Sequence, residues 1–185
     1  MMEKDARAPQ TNVESSRRDQ ILDAACRVLA QQGVRGFTHR AVAGEAGVPL
    51  GLTTYYFKDR DHLLVSTIRK ARVTSGERIT RRIQELVAEH GFSRGIATYI
   101  EDETTQHFDE LILDYRIYVS VLFQPALKVE IAAWHPEPEF ARHVDDATAA
   151  MVSRLIEGYL IHAVVNSRSF TADEVLPAVE RLTIH

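Results

Sequence analysis

Residues 38–60 are rich in side chains that bind phosphate groups and base edges. Their hydroxyl, phenol and imidazole groups form hydrogen bonds, and their cations pair with phosphate oxygens. We expect apolar and hydroxyl contacts to bases from Leu50, Leu52, Thr53 and Thr54, around Gly51. Phosphate contacts are expected from Thr38, His39, Arg40, Tyr55, Tyr56, Lys58 and Arg60. The chemistry of this segment favours DNA binding.

Two short helices joined by a glycine turn would position these side chains. Thr38 is a good N-cap for the first helix, and Gly47 supplies the turn. Pro49 suits the first position of a second helix that ends near Tyr56. This layout predicts a helix-turn-helix, in which the second helix enters the DNA major groove. The alternative is a helical hairpin whose threonines face solvent and whose tyrosines are buried.

The run from residue 46 to residue 64, with the helix predicted before it, resembles the DNA-binding domain of the TetR family of one-component transcriptional regulators. Gly51 lies three residues after Val48 and Phe57 six residues further on, as in that family. Val48 and Phe57 are expected in the core. The chain departs from the family pattern at Pro49, Thr54 and Arg60, where serine, tyrosine and lysine are usual. The resemblance covers about the first third of the chain.

The distribution of charge agrees with a DNA-binding N-terminal part. The net charge of the 185 residues is -4, which alone argues against phosphate binding. Residues 1–60, however, hold nine Lys and Arg against seven Asp and Glu, whereas the remainder holds 13 against 19. The sequence therefore pairs a slightly basic end with an acidic body.

Composition predicts a cytoplasmic protein with a substantial core. Hydrophobic residues make up 45% of the chain, which suits one domain or two closely packed domains. The single cysteine, Cys26, excludes an internal disulfide and is expected in the core. No apolar run has the length of a signal peptide or of a membrane span of about 20 residues.

Helical periodicity without strand signals predicts an all-α fold. We expect a flexible arm over 1–16, a three-helix DNA-binding domain over 17–57 and an effector-binding and dimerisation domain over 58–185. Helices are predicted at 17–32, 58–72, 77–88, 93–105 and 108–123, the last buried on more than one face. A helix of some 25 residues from near Glu139 is expected at a dimer interface, and a capping box of Thr171 and Glu174 begins the last helix.

The resemblance implies a ligand pocket in the helical body. The candidate lining residues are Tyr99, Glu103, His107, Tyr115, Tyr118 and Phe123. The alternative is that most of these aromatic side chains are ordinary core residues. Glu103, His107, Glu110 and Asp114 would share one face of a continuous helix and so could hold a divalent metal. A solvated polar face is the favoured interpretation, and no metal or cofactor is predicted.

Enzyme motifs are missing: there is no G-x-S-x-G, no phosphate-binding G-x-x-x-x-G-K-[ST] and no H-E-x-x-H. No catalytic residue is predicted. The resemblance implies a homodimeric repressor that binds a palindromic operator in double-stranded DNA and is released by a small-molecule effector. Two alternatives remain: an effector-independent architectural or division-control protein on the same scaffold, and a helical enzyme that kept the DNA-binding domain.

Overall fold

The computed structural model describes residues 8–122 and 137–183 of the chain. The regular structure in these two ranges is helical throughout, as the hydrophobic periodicity predicts. The helices are α1 (Ala8–Gly36), α2 (His39–Ala46), α3 (Leu50–Tyr56), α4 (Arg60–His90), α5 (Phe92–Thr104), α6 (Phe108–Leu122), α7 (Glu137–Phe140), α8 (Asp146–Asn166) and α9 (Ala172–Thr183).

Helix α1 begins earlier than the sequence pattern indicates. It starts at Ala8, so residues 8–16, expected to belong to a flexible arm, are helical. Pro9 does not prevent this, because the amide hydrogen that proline lacks is not needed in the first helical turn. The predicted stop at Gly33 is a kink, where φ is 61° and ψ is -174°, and helical geometry resumes to Gly36.

Helices α2 and α3 form the predicted helix-turn-helix. Thr38 is the N-cap of α2, and its Oγ1 accepts a hydrogen bond from the Ala41 amide at 3.1 Å. Gly47 turns the chain in a left-handed conformation, with φ of 65°, that favours glycine. Pro49 is the N-cap of α3 and not its first helical residue, so the helix begins at Leu50, one residue later than predicted. The predicted end of α3 at Tyr56 is confirmed.

Helix α4 is one continuous helix of 31 residues, so the prediction of separate helices at 58–72 and 77–88 is wrong. The predicted cap is present: Asp59 Oδ1 accepts from the His62 amide at 2.7 Å. Gly76 lies inside the helix and costs it about 1 kcal/mol relative to alanine. Apolar residues are buried both before and after Gly76, and that burial outweighs the cost.

The buried apolar side chains form two cores that share α4 and α6. The head core joins α1, α2 and the first turns of α4 to Ile117 and Val121 of α6. The body core joins the second half of α4 to α5, α8 and α9, together with Leu111 of α6. Phe57 is fully buried in the head core and Val48 packs against it, as predicted. Two helices therefore connect the helix-turn-helix end to the body.

Cys26 lies at the interface between α1 and α4, as a core residue should. Its Sγ is 3.8 Å from the Thr67 carbonyl oxygen. Burial and then the nearby Asp23 carboxylate raise the pKa of the Cys26 thiol to about 12. A thiol that stays protonated is a poor nucleophile.

The prediction that α6 is buried on more than one face is wrong for the part of the chain that the structure describes. Leu111, Ile117 and Val121 are buried, but Val119 is 52% exposed and Leu113 is also exposed. The helix is apolar on most sides, yet only the side that faces the two cores is covered.

The helix expected from near Glu139 is divided. The short α7 ends at Phe140, which is fully buried in the body core. Helix α8 begins only at Asp146, after Asp145 as its N-cap, whose Oδ1 accepts from the amides of Ala147 and Thr148. An aspartate acceptor for two free amides is a strong start signal and explains the later beginning.

Helix α8 is, among the described residues, the one helix long and apolar enough to cross a membrane by length and composition alone. That is weak evidence, because a core helix of a soluble protein passes the same test. Here Val152, Ile156, Leu160 and Ala163 pack in the body core.

The last helix starts as the sequence predicts. The Thr171 amide donates to Glu174 Oε2 at 2.9 Å, and the Glu174 amide donates to Thr171 Oγ1 at 3.3 Å. Phe170 and Val175, on either side of this capping box, are both buried in the body core.

Gly95 allows α5 to approach α4 closely, which gives a test of the packing between these helices. A Cβ atom at Gly95 would lie 2.8 Å from the Val87 Cα atom, too close for the backbone to accommodate. We expect Gly95→Ala to lower the free energy of unfolding by roughly 1–3 kcal/mol in urea titrations. Gly76→Ala is the control, since its Cβ meets no atom within 4 Å. It should raise stability by about 0.5–1 kcal/mol, and equal effects of the two changes would contradict the close approach.

Candidate functional site

The outward face of α3 is formed by side chains that nothing in the described chain covers fully. Tyr55 is 72% exposed and Leu50 43% exposed, and Gly51 and Thr54 are exposed between them. A Cβ atom at Gly51 would meet open space, so packing within the chain does not require glycine there. This face is available to a large partner.

Thr53 does not belong to this outward face, and its predicted contact with bases is wrong in this conformation. The residue is fully buried. Its Oγ1 donates to the Leu50 carbonyl oxygen at 2.8 Å and lies 3.2 Å from His39 Nδ1. Thr53 therefore joins α3 to α2 from the inside, on the side of the helix that also carries the partly buried Leu52.

The residues predicted to bind phosphate differ in how far they are exposed to solvent. Thr38, Arg40 and Lys58 are exposed near the two ends of the helix-turn-helix, and His39 is half-buried. Tyr55 and Tyr56 lie edge to face with ring centroids 5.1 Å apart. Tyr56 is partly buried against the head core, so Tyr55 has the more exposed ring of the two.

Arg60 has a structural task that the sequence did not indicate. Its Nε donates to the Phe37 carbonyl oxygen at 2.8 Å, and its Nη2 donates to the Val34 carbonyl oxygen. Arg60 thus binds the start of α4 to the end of α1. Arg60 is also exposed, and the phosphate contact expected of it stays a prediction.

A cavity of about 110 Å³ lies between α4, α5, α6 and α8. It contains four of the residues predicted for a ligand site: Tyr99, Glu103, Tyr115 and Tyr118. His107 does not line it, and Phe123 lies outside the described residues. The other lining residues are Arg78, Ile79, Leu111, Asp114, Ser153, Ile156, Glu157 and Leu160.

Arg78 is the cation of the cavity wall and pairs with two carboxylates. Its Nη1 lies 2.9 Å from Glu103 Oε1 and its Nη2 lies 2.8 Å from Asp114 Oδ2. Ser75, one turn earlier on α4, donates from Oγ to Asp114 Oδ1 at 2.7 Å. The Glu103 side chain is only 1% exposed, and burial raises the pKa of its carboxyl group although Arg78 acts in the opposite direction. A carboxylate buried this deeply requires a positive partner.

The acidic residues considered for a metal site gather around this arginine. Glu110 Oε2 lies 3.7 Å from Arg78 Nη1 and 3.4 Å from His107 Nδ1. The chain leaves helical geometry between Thr104 and Phe108, so the four residues do not share a face of one helix. Within the described ranges, no group of three His, Cys, Asp or Glu side chains is arranged to hold a metal ion.

The remaining wall of the cavity is aromatic and acidic. Tyr99 is almost completely buried, and the rings of Tyr115 and Tyr118 lie edge to face with centroids 6.4 Å apart. Burial and then the Glu157 carboxylate raise the pKa of both Tyr115 and Tyr118. The phenols are therefore neutral, and three carboxylates face one guanidinium across the cavity.

Comparison with known proteins decides the family. A family model described as "Bacterial regulatory proteins, tetR family" matches residues 21–67. The solved structure of a TetR-family member from Streptomyces coelicolor A3 is 30% identical, with 91% of this chain and 99% of that chain aligned and a TM-score of 0.77. The chain belongs to the TetR family. It is a DNA-binding transcriptional regulator of that family, not an enzyme.

Other members of the TetR family are similar over most of their length. The regulator BetI of Rhizobium meliloti (strain 1021) is 28% identical over 166 residues, 80% of this chain and 79% of BetI. The multidrug binding protein EbrR complexed with ethidium is 30% identical over 91% of this chain and 99% of EbrR, with a TM-score of 0.74. EbrR has also been solved with malachite green, at 29% identity and a TM-score of 0.78.

Sequence reasoning missed Arg78 and Glu157 as cavity residues. Each lies on a helix whose neighbours across the cavity are distant in sequence: Arg78 is 25 residues from Glu103 and 36 from Asp114. Spacing along the chain carries no signal for such pairs. The sequence pattern places Asp114 only on the predicted acidic face.

Proposed function

We propose that this TetR-family regulator is a cytoplasmic homodimeric repressor that binds a palindromic operator and leaves it when a small cationic aromatic effector enters the body cavity. The proposal is supported most directly by the exposed face of α3. In an effector-independent architectural protein the body would need no cavity, so the cavity beside α4 favours the effector-dependent function over that alternative.

The DNA-binding part of the proposal assigns separate tasks to the exposed residues. Leu50 and Thr54 would contact base edges, including thymine methyl groups, while Gly51 lets the helix approach closely. Tyr55, Lys58, Arg40 and the Thr38 hydroxyl would hold phosphates and set the register. In a two-fold dimer, two α3 helices would read half-sites about 34–36 Å apart or a multiple of that distance.

Binding to the chain's own upstream DNA tests these assignments. Lys58→Ala should weaken binding to specific and unrelated DNA alike. It should also reduce the slope of the logarithm of the binding constant against the logarithm of the salt concentration by about 1 for each protomer. Leu50→Ala should instead reduce the preference for the specific site. Both effects are measured by fluorescence anisotropy at several salt concentrations.

The control for this experiment is Arg181→Ala, which removes an exposed cation from α9. Its salt slope should equal that of the wild type. If Arg181→Ala and Lys58→Ala change the slope equally, α3 and its flanks are not the DNA-binding surface.

Helix α8 offers a surface for the proposed dimer. Met151, Arg154, Gly158, Ile161 and Val165 are all exposed and are spaced alternately by three and four residues. That spacing places them in one row along the helix. Val165 is 73% exposed, and the absence of a side chain at Gly158 lets a second helix approach. The row is apolar apart from Arg154.

Ile161→Asp should separate the proposed dimer. A carboxylate in an apolar helix pair loses its hydration without gaining a partner, so we expect the dimer dissociation constant to rise by about 100-fold or more. Sedimentation velocity across a concentration series measures the effect. Val73→Asp places the same charge on an exposed position of α4 and should leave the dimer intact. Equal behaviour of both variants would exclude α8 as the interface.

The proposed effector class follows from the cavity wall. Three carboxylates against one guanidinium attract a positive charge, and aromatic faces bind cations by cation–π contacts. The structural relative EbrR has been solved with malachite green, ethidium and proflavin, whose aromatic frames are positively charged. An effector releases the protein from DNA only if it binds more tightly to the conformation in which the spacing of the two α3 helices does not fit the operator.

Tetraphenylphosphonium and tetraphenylborate, which have the same shape and opposite charge, test the effector class by isothermal titration calorimetry. We expect the wild type to bind the cation and not the anion. Glu157→Gln should weaken cation binding by about tenfold, equivalent to about 1.4 kcal/mol. Glu89→Gln, an exposed change on α4 outside the cavity, is the control and should bind as the wild type does. Preference for the anion, or no binding of either ion, would refute the cationic class.

A further inference from the structure

Arg78 already forms ion pairs with two of the three carboxylates to which a cationic effector would bind. Its two Nη atoms reach Glu103 on α5 and Asp114 on α6, at 2.9 and 2.8 Å. Of the three carboxylates that line the cavity, these two have a hydrogen-bonded cation. A ligand that carries positive charge would have to share these partners or take them.

The size of the cavity favours replacement over sharing. About 110 Å³ is well below the roughly 300–1,000 Å³ of pockets that hold drug-sized ligands. A larger ligand therefore needs a lining side chain to leave. Tyr99 is held in the body core and Asp114 is short, whereas the Arg78 side chain is long and is 26% exposed, so it has a path to solvent.

We propose that Arg78 is an internal cation that competes with the effector for Glu103 and Asp114. The inference rests on the proposed cationic effector and adds the residue that opposes its binding. When the effector enters, its positive charge takes over the contacts with the two carboxylates and the guanidinium turns out to solvent. No covalent bond changes in this exchange.

The exchange also explains how the cavity would act on α4. Arg78 and Ser75 lie one turn apart and hold the middle of α4 to α5 and α6. One turn further, Arg82 pairs with Asp102 outside the cavity lining. Loss of the Arg78 contacts releases the middle of α4 from α5 and α6, while Arg82 still holds the second half of the helix. The helix-turn-helix end then moves relative to the body. By linkage, DNA and effector must then weaken each other's binding equally.

Arg78→Gln tests the competition directly. The variant removes the internal cation and opens space, so we expect it to bind tetraphenylphosphonium about tenfold more tightly than the wild type in calorimetry. It should not gain affinity for tetraphenylborate, because the exposed wall is acidic. Without any effector, it should bind operator DNA more weakly than the wild type does. Arg82→Gln is the matched control, with the same change on the same helix, and its affinity for the cation should equal that of the wild type.

A second variant keeps a positive charge near Glu103, because Arg78→Gln leaves this buried carboxylate without a positive partner and so destabilises the fold. Arg78→Lys keeps the charge but its single ammonium cannot donate to both carboxylates in the forked geometry of arginine. We expect it to melt close to the wild type and to bind the cation with an affinity between the wild type and Arg78→Gln.

The outcomes separate the two proposals. If the wild type binds tetraphenylphosphonium but both Arg78 variants bind it equally or less tightly, Arg78 is not a competitor and the effector class stands. If Arg82→Gln gains as much as Arg78→Gln, loosening of α4 and not competition explains the effect, and the inference fails. If neither the wild type nor any variant binds the cation, the effector class fails and the inference fails with it.

Discussion

The continuity of α4 is the constraint on which the rest of the structure depends. An α-helix of 31 residues is about 46 Å long, and this one has apolar residues of its first half in the head core and apolar residues of its second half in the body core. A helix held at both ends transmits a displacement from one core to the other without needing a hinge. Helix α6 runs beside this connection, with Leu111 in the body core and Ile117 and Val121 in the head core, so the cavity touches both helices that join the two parts.

The sequence predicted those elements whose signals are local and missed those decided by distant contacts. Thr38, Asp59 and the Thr171–Glu174 pair mark helix starts with side chains that accept hydrogen bonds from amides three residues away, and the structure contains all three. The predicted break between residues 72 and 77 contains Gly76, a poor helix former, but burial on both sides of it keeps α4 whole. The single helix of some 25 residues predicted from near Glu139 is instead divided, because Asp145 caps a new helix that begins at Asp146.

In the candidate sites, too, the sequence predicted what local signals determine and missed what distant contacts determine. Family spacing placed α3 correctly, but it could not show which threonine faces outward: Thr53 and Thr54 are adjacent, and a helix turns neighbouring residues by about 100°. Thr53 is buried and Thr54 exposed because the head core lies on the side of Phe57 and Leu52. In the cavity, aromatic and acidic side chains on α5 and α6 were expected because the family resemblance implies a pocket there, whereas Arg78 and Glu157 are brought there by helix packing that no spacing rule reveals.

The buried carboxylate of Glu103 restricts which ligands can act on this chain at low energetic cost. Removing the positive partner of a buried ion pair costs roughly 3–5 kcal/mol, because the remaining charge is left without hydration or a counter-charge. A neutral ligand that displaced Arg78 would have to supply this energy from its other contacts. A cationic ligand replaces the lost partner as it enters, so the carboxylate is compensated both before and after the exchange, and most of the binding energy remains available to shift α4. The same buried charge that stabilises the effector-free arrangement therefore selects for positive charge in whatever displaces it.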